Sequence, residues 1–294
     1  MQKLFASLTF SVLLTSPFTA ESGDWVEVIA DGQVAYTSID NLNLSAFEDT
    51  HSDEMLSLNA LLGRFYQLNG FTRVHVAFDL GAEMHQTFEQ LDNTQLGANI
   101  GVRHKFGLGF YQPYLQFNVD YRQKDVDWDS YSMDLVSTRL EFGQHINNQL
   151  SLAASIDFTS TEGNSGPVVV PELSTKVFDQ RYFHLSLLVD YILNESWLVS
   201  ANYARREGEF NSSCSKANVA TVLKVEEVKA ITQDPVFAGC VYKLDGSSNI
   251  YSASLSYSLS SHAGVNLVFE HYQGKADVLD YHNTSYLISF NYRY

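Results

Sequence analysis

Hydrophobic and hydroxyl side chains alternate without interruption between residues 251 and 260. The odd positions hold Tyr251, Ala253, Leu255, Tyr257 and Leu259, whereas every even position from 252 to 260 is serine. In a strand, successive side chains point to opposite faces, so this order produces one apolar face and one hydroxyl face. A helix would spread both sets around its circumference. The segment therefore predicts a β-strand.

Further segments repeat this alternation, with apolar residues on one side and polar, charged or small residues on the other: 73–80, 95–103, 115–122, 150–158 and 183–191. Together with weaker segments, from 25–37 at the beginning to 285–294 at the end, they predict about twelve antiparallel strands. Because Gly32 and the irregular run 41–47 blur the first strand, ten is the alternative count. The fold class is all-β.

The breaks between these segments alternate between short and long. The short ones are 67–70, 146–149, 193–196 and 260–263, with a somewhat longer glycine-rich break at 106–112. The long ones are acidic and rich in turn residues: 40–54, 83–93, 123–130, 160–179, 208–248 and 274–284. Short turns at one rim and long loops at the other are typical of barrels that cross a membrane, where every backbone group must be paired. We therefore predict a closed antiparallel transmembrane β-barrel.

The last nine residues carry a more specific pattern, with aromatic and aliphatic residues on one face and an aromatic residue at the end: Tyr286, Ile288, Phe290, Tyr292 and Tyr294. This segment resembles the C-terminal signal of bacterial outer-membrane proteins. The resemblance implies a Gram-negative outer membrane, with periplasmic chaperones and the barrel-assembly machinery as partners and outer-membrane lipid and lipopolysaccharide as surroundings. It also implies that both termini and the short turns are periplasmic and the long loops extracellular.

The first twenty residues have the features of a secretory signal peptide. Lys3 supplies the positive charge, residues 4–14 the apolar core, and Ala20 the cleavage residue. This leaves residues 21–294 as a single barrel domain. Without Lys3, 17 basic residues face 34 acidic ones, a formal charge of −17. Nucleic acid is therefore not an expected partner, since binding phosphates needs clustered basic residues.

Cys214 and Cys240 are the two cysteines of the chain. In an exported protein they are expected to form a disulfide within the longest predicted loop, 208–248. The segment 219–231 mixes Val, Leu, Lys and Glu, which fits either a short helix or an extracellular hairpin. The loop could fold inward as a constriction or project outward as a docking surface.

The polar faces of the strands define the candidate lumen of the barrel. Its charged residues are seven basic and seven acidic: Arg73, Asp79, Glu83, Arg103, Lys105, Asp120, Arg122, Arg139, Glu141, Asp157, Asp190, Arg206, Glu270 and Arg293. Such a balance lacks the basic ladder expected of an anion channel. Two interpretations remain open: a narrow water-filled bore, or a bore largely closed by ion pairs.

Three functions follow from this pattern. The first is a porin-like barrel that passes small polar solutes or ions with a mild cation preference, because the loops are acidic. The second is a non-conducting barrel that binds another envelope component through its loops. The third, a lipid hydrolase or rim protease, is disfavoured because no Gly-x-Ser-x-Gly segment occurs and His271 and His282 lack a serine assigned by spacing.

No cofactor or metal is predicted. Acidic residues and a histidine do cluster in two of the long loops, and oxygen ligands of this kind suit hard cations. Without a glycine-turn calcium loop, however, they are interpreted as solvated surface charge: Asp125, Asp127 and Asp129, and His51, Asp53 and Glu54. The sequence does not identify the solute or partner, the oligomeric state or any gating.

Overall fold

The computed structural model describes residues 24–294. The predicted signal peptide, residues 1–20, lies outside this range. The described chain contains thirteen strands, one short α-helix and two 3-10 turns. Their bounds are β1 Asp24–Ile39, β2 Asp53–Gln67, β3 Thr72–His85, β4 Asn93–Lys105, β5 Tyr114–Val126, β6 Met133–His145, β7 Leu150–Gly163, β8 Arg181–Ile192, β9 Trp197–Ser215, α1 Val219–Val225, β10 Ala230–Asp234, β11 Gly239–Ser258, β12 Ala263–Lys275 and β13 Asp280–Arg293, with 3-10 turns at Glu89–Leu91 and Asp129–Tyr131.

Twelve of the strands close into a barrel. Each strand from β1 to β8 pairs with its successor, β9 pairs with β11, β11 pairs with β12 and β12 with β13, and β13 returns to pair with β1, all antiparallel. The prediction of an all-β closed barrel of about twelve strands is confirmed. Because β1 pairs on both edges, with β2 and β13, the first strand belongs to the wall and the alternative count of ten is not needed. The remaining strand, β10, pairs with the end of β11 and forms isolated bridges with Val168 and Ser174 of the β7–β8 connection.

Apolar side chains cover the outer surface of this wall. Leu187 is 57% exposed, Leu96 55% and Phe78 52%, and each alternates with a neighbour of small or polar type on the opposite face. A protein surrounded by water would lose stability by exposing a continuous apolar band. The band therefore fits a barrel whose outer surface contacts hydrocarbon and whose backbone groups are paired around the closed sheet.

Four tight turns lie at one end of the barrel, which we call the turn end. They share the same hydrogen-bond pattern. A side-chain oxygen at the second turn position accepts hydrogen bonds from the backbone N–H groups two and three residues later. The residues that provide this oxygen are Asn69, Asn147, Asn194 and Ser260. Asparagine and serine favour turns for this reason. The fifth connection at this end, residues 106–113, is longer.

At the opposite end, the loop end, several strands run further than the sequence predicts. β9 continues to Ser215 and β11 begins at Gly239, so the predicted loop 208–248 shrinks to 216–238. The predicted loop 274–284 is a connection of only four residues, 276–279, shorter than the connection 106–113 at the turn end. These segments lack clean alternation, yet their backbone groups stay paired with the neighbouring strands, which extends the ladders past the apolar band.

The connections at the loop end pack together into a unit that we call the loop cap: residues 41–51, 86–92, 164–180 and 209–245. Its centre is an apolar cluster with Tyr242, Ile231 and Val222 at 0% exposure. Both interpretations of the segment 219–231 hold in part, because α1 occupies its first half and β10 then forms a hairpin with β11. None of the helices in residues 24–294 has the length and apolar character needed to cross a bilayer.

Candidate functional site

The charged residues proposed for the lumen stand on the inner face of the barrel, opposite the exposed apolar face. One example is the row that crosses β3, β4 and β5. Asp79 of β3 lies opposite Gly97 of β4, and Gly97 lies opposite Arg122 of β5. Arg122 reaches across β4, and its Nε lies 3.0 Å from Asp79 Oδ1. A methyl group at Gly97 would collide with the Asp79 carboxylate, so glycine there makes the pair sterically accessible.

A second group of charges surrounds Arg139 on β6. One guanidinium nitrogen lies 2.8 Å from Glu141 and the other 3.6 Å from Asp157 of β7. Tyr114 of β5 donates its hydroxyl to Glu141 at 2.9 Å. Gly143 provides the space for the Tyr114 ring, as Gly97 does for Asp79. The structure thus joins three of the predicted lumen residues into one network.

Three inner-face arginines lie over aromatic rings. Arg73 lies 4.4 Å from the Phe65 ring centroid, Arg103 lies 3.6 Å from that of Tyr114, and Arg206 lies 3.7 Å from that of Tyr182. A guanidinium is attracted to the negative face of an aromatic ring. These aromatic partners alternate into the barrel interior and therefore contribute to the inner surface rather than to the outer band.

The remaining acidic positions have mainly polar neighbours. Asp120 accepts a hydrogen bond from Asn99, which also contacts His75, and Asp190 accepts one from Ser200 at 2.6 Å. Glu270 stands on β12 between serines of the adjacent strands and forms no salt bridge with any residue of the described chain. The predicted residues therefore form several local groups rather than one central cluster.

Sequence reasoning missed three members of these groups. Asp31 pairs with Arg293 at 3.0 Å, Glu27 with Arg73 at 3.9 Å, and Lys124 with Glu83 at 3.0 Å. The alternation continues through Asp31 and Lys124, which would have identified both. It was missed because Gly32 blurs the pattern of β1 and because β5 runs into the predicted loop 123–130.

The paired charges stay in contact with solvent. The Arg122 side chain is 44% exposed, Arg139 40% and Arg73 36%, although all three stand on the concave side of the sheet. Charges that filled and closed the bore would lose this exposure. Ion pairs with this degree of solvent contact contribute only about 0–1 kcal/mol to stability.

The loop cap reaches across the loop end of the barrel. Phe237, just before β11, packs against Phe88 with ring centroids 4.8 Å apart and stacks on His51 at 5.3 Å. Phe88 belongs to the β3–β4 connection, which lies six strands from the β9–β11 connection on the twelve-strand ring. A twelve-strand barrel is roughly 24 Å across, so these contacts span its opening.

A second contact ties the hairpin strand β10 to the β5–β6 connection. The Tyr131 hydroxyl donates to Asp234 Oδ2 at 2.9 Å, and the backbone N–H groups of Val236 and Phe237 bond to the other carboxylate oxygen. Burial raises the pKa of Asp234 despite these hydrogen bonds. Burial, reinforced by the neighbouring Asp234 carboxylate, also holds the pKa of Tyr131 well above its usual value.

The predicted disulfide is present in the structure. Cys214 and Cys240 stand directly opposite each other on β9 and β11, with their Cα atoms 5.2 Å apart, and no free cysteine remains in the described chain. The bond crosslinks the part of the β9–β11 ribbon that forms the base of the loop cap. Its sulfur atoms belong to the apolar cluster around Tyr242.

The residues considered for catalysis and for metal binding form no recognisable centre. His271 contacts Thr284 at 3.1 Å and Gln273 at 3.1 Å, neither of which is a serine or a carboxylate. Its ring lies 6.4 Å from that of His282. Between residues 24 and 294, no three His, Cys, Asp or Glu residues are grouped as metal ligands would be.

Comparison with solved structures shows the same fold in an outer-membrane channel and finds weaker matches to two other barrels. An outer-membrane channel from Pseudomonas putida F1 matches with a TM-score of 0.55 at 9% identity, covering 95% of this chain and all of that one. The NanC porin matches with a TM-score of 0.47 at 8% identity over 90% of this chain and 100% of its own. The β domain of the Bordetella autotransporter BrkA matches with a TM-score of 0.46 at 11% identity over 91% and 100%. No protein-family model and no curated protein matches the sequence.

Proposed function

We propose that this protein is a narrow porin-like channel that passes small polar solutes or ions. The observation that supports the proposal is the solvent exposure of the inner-face charges, 44% for Arg122 and 40% for Arg139. A hydrated interior lined by separate charged groups offers polar solutes a path through an apolar layer. Structural similarity to outer-membrane channels and porins is consistent with this function.

The proposed setting is a bacterial outer membrane. The turn end and both termini would be periplasmic, and the loop cap would face outward, where lipopolysaccharide surrounds it. The signal peptide, residues 1–20, would direct export through the periplasm and its chaperones. The face formed by Tyr286, Ile288, Phe290, Tyr292 and Tyr294 would present the strand to the barrel-assembly machinery. An assay of assembly after replacement of Tyr294 tests this last assignment.

A mild cation preference follows from the distribution of charge. The chain has 34 acidic and 18 basic residues, whereas the inner-face groups hold nine acidic and eight basic ones once Glu27, Asp31 and Lys124 are added to the predicted set. The excess negative charge therefore lies on the loops and around the rims. An acidic entrance concentrates cations and depletes anions, most strongly at low ionic strength.

Planar-bilayer recording of the refolded mature chain tests the proposal. Discrete conductance steps are expected, and the reversal potential in a salt gradient should indicate a cation preference. Membranes that stay silent at protein concentrations giving full insertion would contradict channel function. Catalysis is not part of the proposal. We therefore expect no hydrolysis of lipid or peptide substrates that depends on His271.

The ion pair between Arg122 and Asp79 offers a matched test of the inner surface. Arg122→Ala leaves the Asp79 carboxylate unpaired and should move the reversal potential toward stronger cation preference. Asp79→Asn leaves the guanidinium unpaired and should move it in the opposite direction. Because the pair is worth at most about 1 kcal/mol, both variants should fold normally. Shifts in the same direction, or none in either variant, would place this pair outside the conduction path.

The loop cap favours a second candidate, a non-conducting barrel that binds another envelope component. Its contacts cross the opening of the barrel, and its interior is as tightly buried as a protein core. Crosslinking from exposed Lys224 on α1 should then capture one dominant partner, and the bilayer recordings should be silent. Glu226 is a poor position for such a probe, because it is buried and accepts backbone hydrogen bonds from Asp277, Val278 and Leu279.

A further inference from the structure

An apolar cavity of about 320 Å³ lies beneath the loop cap. One side is formed by the loop ends of barrel strands β2, β3, β5 and β6, and the other by β9, β11 and the cap. Its lining is predominantly hydrophobic and includes Leu44, Met55, Val126, Met133, Phe237 and Val241. This character contrasts with the charged inner face around Arg122 and Arg139. Concave apolar sites of this size are typical of binding sites for small molecules.

Most polar groups that line the cavity already have partners. Glu83 is paired with Lys124, Ser213 donates to Asp234, and Ser212 bonds to the backbone of Leu44 and to Tyr242. The side-chain oxygen of Asn211 differs. It is buried and accepts no hydrogen bond from any group in the described chain. Leaving such an acceptor buried and unpaired costs free energy, so a bound donor there would be favoured.

We infer that this cavity binds an uncharged molecule with a compact apolar body and one hydroxyl group, and that the hydroxyl donates to Asn211 Oδ1. The apolar body would contact Val126, Met133 and Phe237. A charged solute would have to leave water for this apolar lining, which disfavours it. The inner-face pair Glu83–Lys124 borders the site, but the groups around Arg122 and Arg139 do not line it, and the inference holds whether or not the bore conducts.

Two probes of nearly equal shape test the assignment: 4-tert-butylphenol, which carries the hydroxyl, and 4-tert-butyltoluene, which carries a methyl group instead. Equilibrium dialysis of the refolded mature chain in detergent, against protein-free micelles, measures specific uptake of each probe. Asn211→Leu removes the acceptor, and Val126→Trp fills the cavity. Leu187→Trp adds the same indole to the outer apolar surface and serves as the matched control for Val126→Trp.

Saturable uptake of one phenol per chain is expected in the native protein and in Leu187→Trp, and it should disappear in Val126→Trp. In Asn211→Leu the affinity for the phenol should fall about tenfold while that for the toluene does not fall. Uptake that does not saturate, or that is equal in both tryptophan variants, would show partitioning into micelles and overturn the site. Equal loss of affinity for both probes in Asn211→Leu, or no loss for either, would overturn the role of the Asn211 oxygen.

Discussion

The barrel wall and the loop cap use the same residue types in opposite ways. In the wall, Leu187 is 57% exposed and Ile288 48%, whereas in the cap Ile231 and Val222 are completely buried. Strand alternation places most of the large apolar side chains of the wall on the outer face. The cap gathers apolar side chains from connections that are distant in sequence into a closed cluster.

The difference teaches that the surroundings, rather than composition, decide where an apolar residue is stable. In the proposed membrane, hydrocarbon around the wall would make an exposed leucine favourable and leave polar side chains to line the interior. The cap lies past the apolar band and must build a core of the kind found in water-soluble proteins. A substitution that reverses polarity should therefore act oppositely in the two regions, and each prediction below tests this contrast.

The largest effect is expected from a charge on the outer surface of the wall. Leu187→Arg places a guanidinium near the middle of β8 and should cost about 2–4 kcal/mol, which would impair assembly. Ser186→Arg, on the adjacent inner-face position, should assemble normally because its charge meets water. A change in apparent size between unboiled and boiled samples on a denaturing gel measures assembly. Equal tolerance of both substitutions would contradict the assigned faces.

Removing the disulfide should affect the cap and leave the wall unchanged. The double substitution Cys214→Ser with Cys240→Ser releases a crosslink between residues 26 positions apart. The chain-entropy estimate for a loop of this length is about 3.5 kcal/mol. Hydrogen exchange measured by mass spectrometry should accelerate in residues 209–245, while peptides from β5 exchange as before. Faster exchange throughout the barrel would show that the two regions unfold as one unit.

A smaller effect concerns the pH response of the cap. Burial raises the pKa of Asp234 in the folded cap, so protonation of this carboxylate favours the closed cap. The stability of the cap should therefore rise as the pH falls from neutral toward the ordinary pKa of 3.8. Asp49 behaves in the opposite way. Hydrogen bonds from Ser45 and the Ser215 backbone outweigh its burial and lower its pKa, so its protonation weakens the cap only below pH 3.8. Protection of residues 230–242, corrected for intrinsic exchange, should rise across this window. Asp234→Asn should remove the rise, and an unchanged response would exclude Asp234 as its origin.

The wall could be predicted from the sequence because its determinant is local. Alternation assigns a face to each residue within a strand, and the short and long breaks indicate which strands pair. The inner-face positions Asp79, Asp120 and Arg122 follow from it directly. Prediction failed where the pattern is blurred, as in β1 around Gly32, and where strands extend beyond the apolar band, as β9 does to Ser215.

The cap could not be predicted in the same way, because its contacts join residues far apart in sequence. Nothing near Phe237 indicates that it packs against Phe88, or that Tyr131 donates to Asp234. The cysteine pair gave the one usable signal, since two cysteines in an exported chain predict a crosslink. The cavity beneath the cap depends on the same distant contacts, so its lining and the unpaired Asn211 oxygen became visible only in the folded chain.

Thiol labelling at two adjacent positions tests the central claim most directly. Both native cysteines are joined in the disulfide, so a cysteine introduced at Ser186 or at Leu187 is the one reactive thiol of each variant. In proteoliposomes, a membrane-impermeant thiol reagent should label Ser186→Cys on the hydrated inner face and leave Leu187→Cys unlabelled in hydrocarbon. Protection of Ser186→Cys together with labelling of Leu187→Cys, or equal labelling of both, would contradict a hydrated bore enclosed by an apolar outer surface.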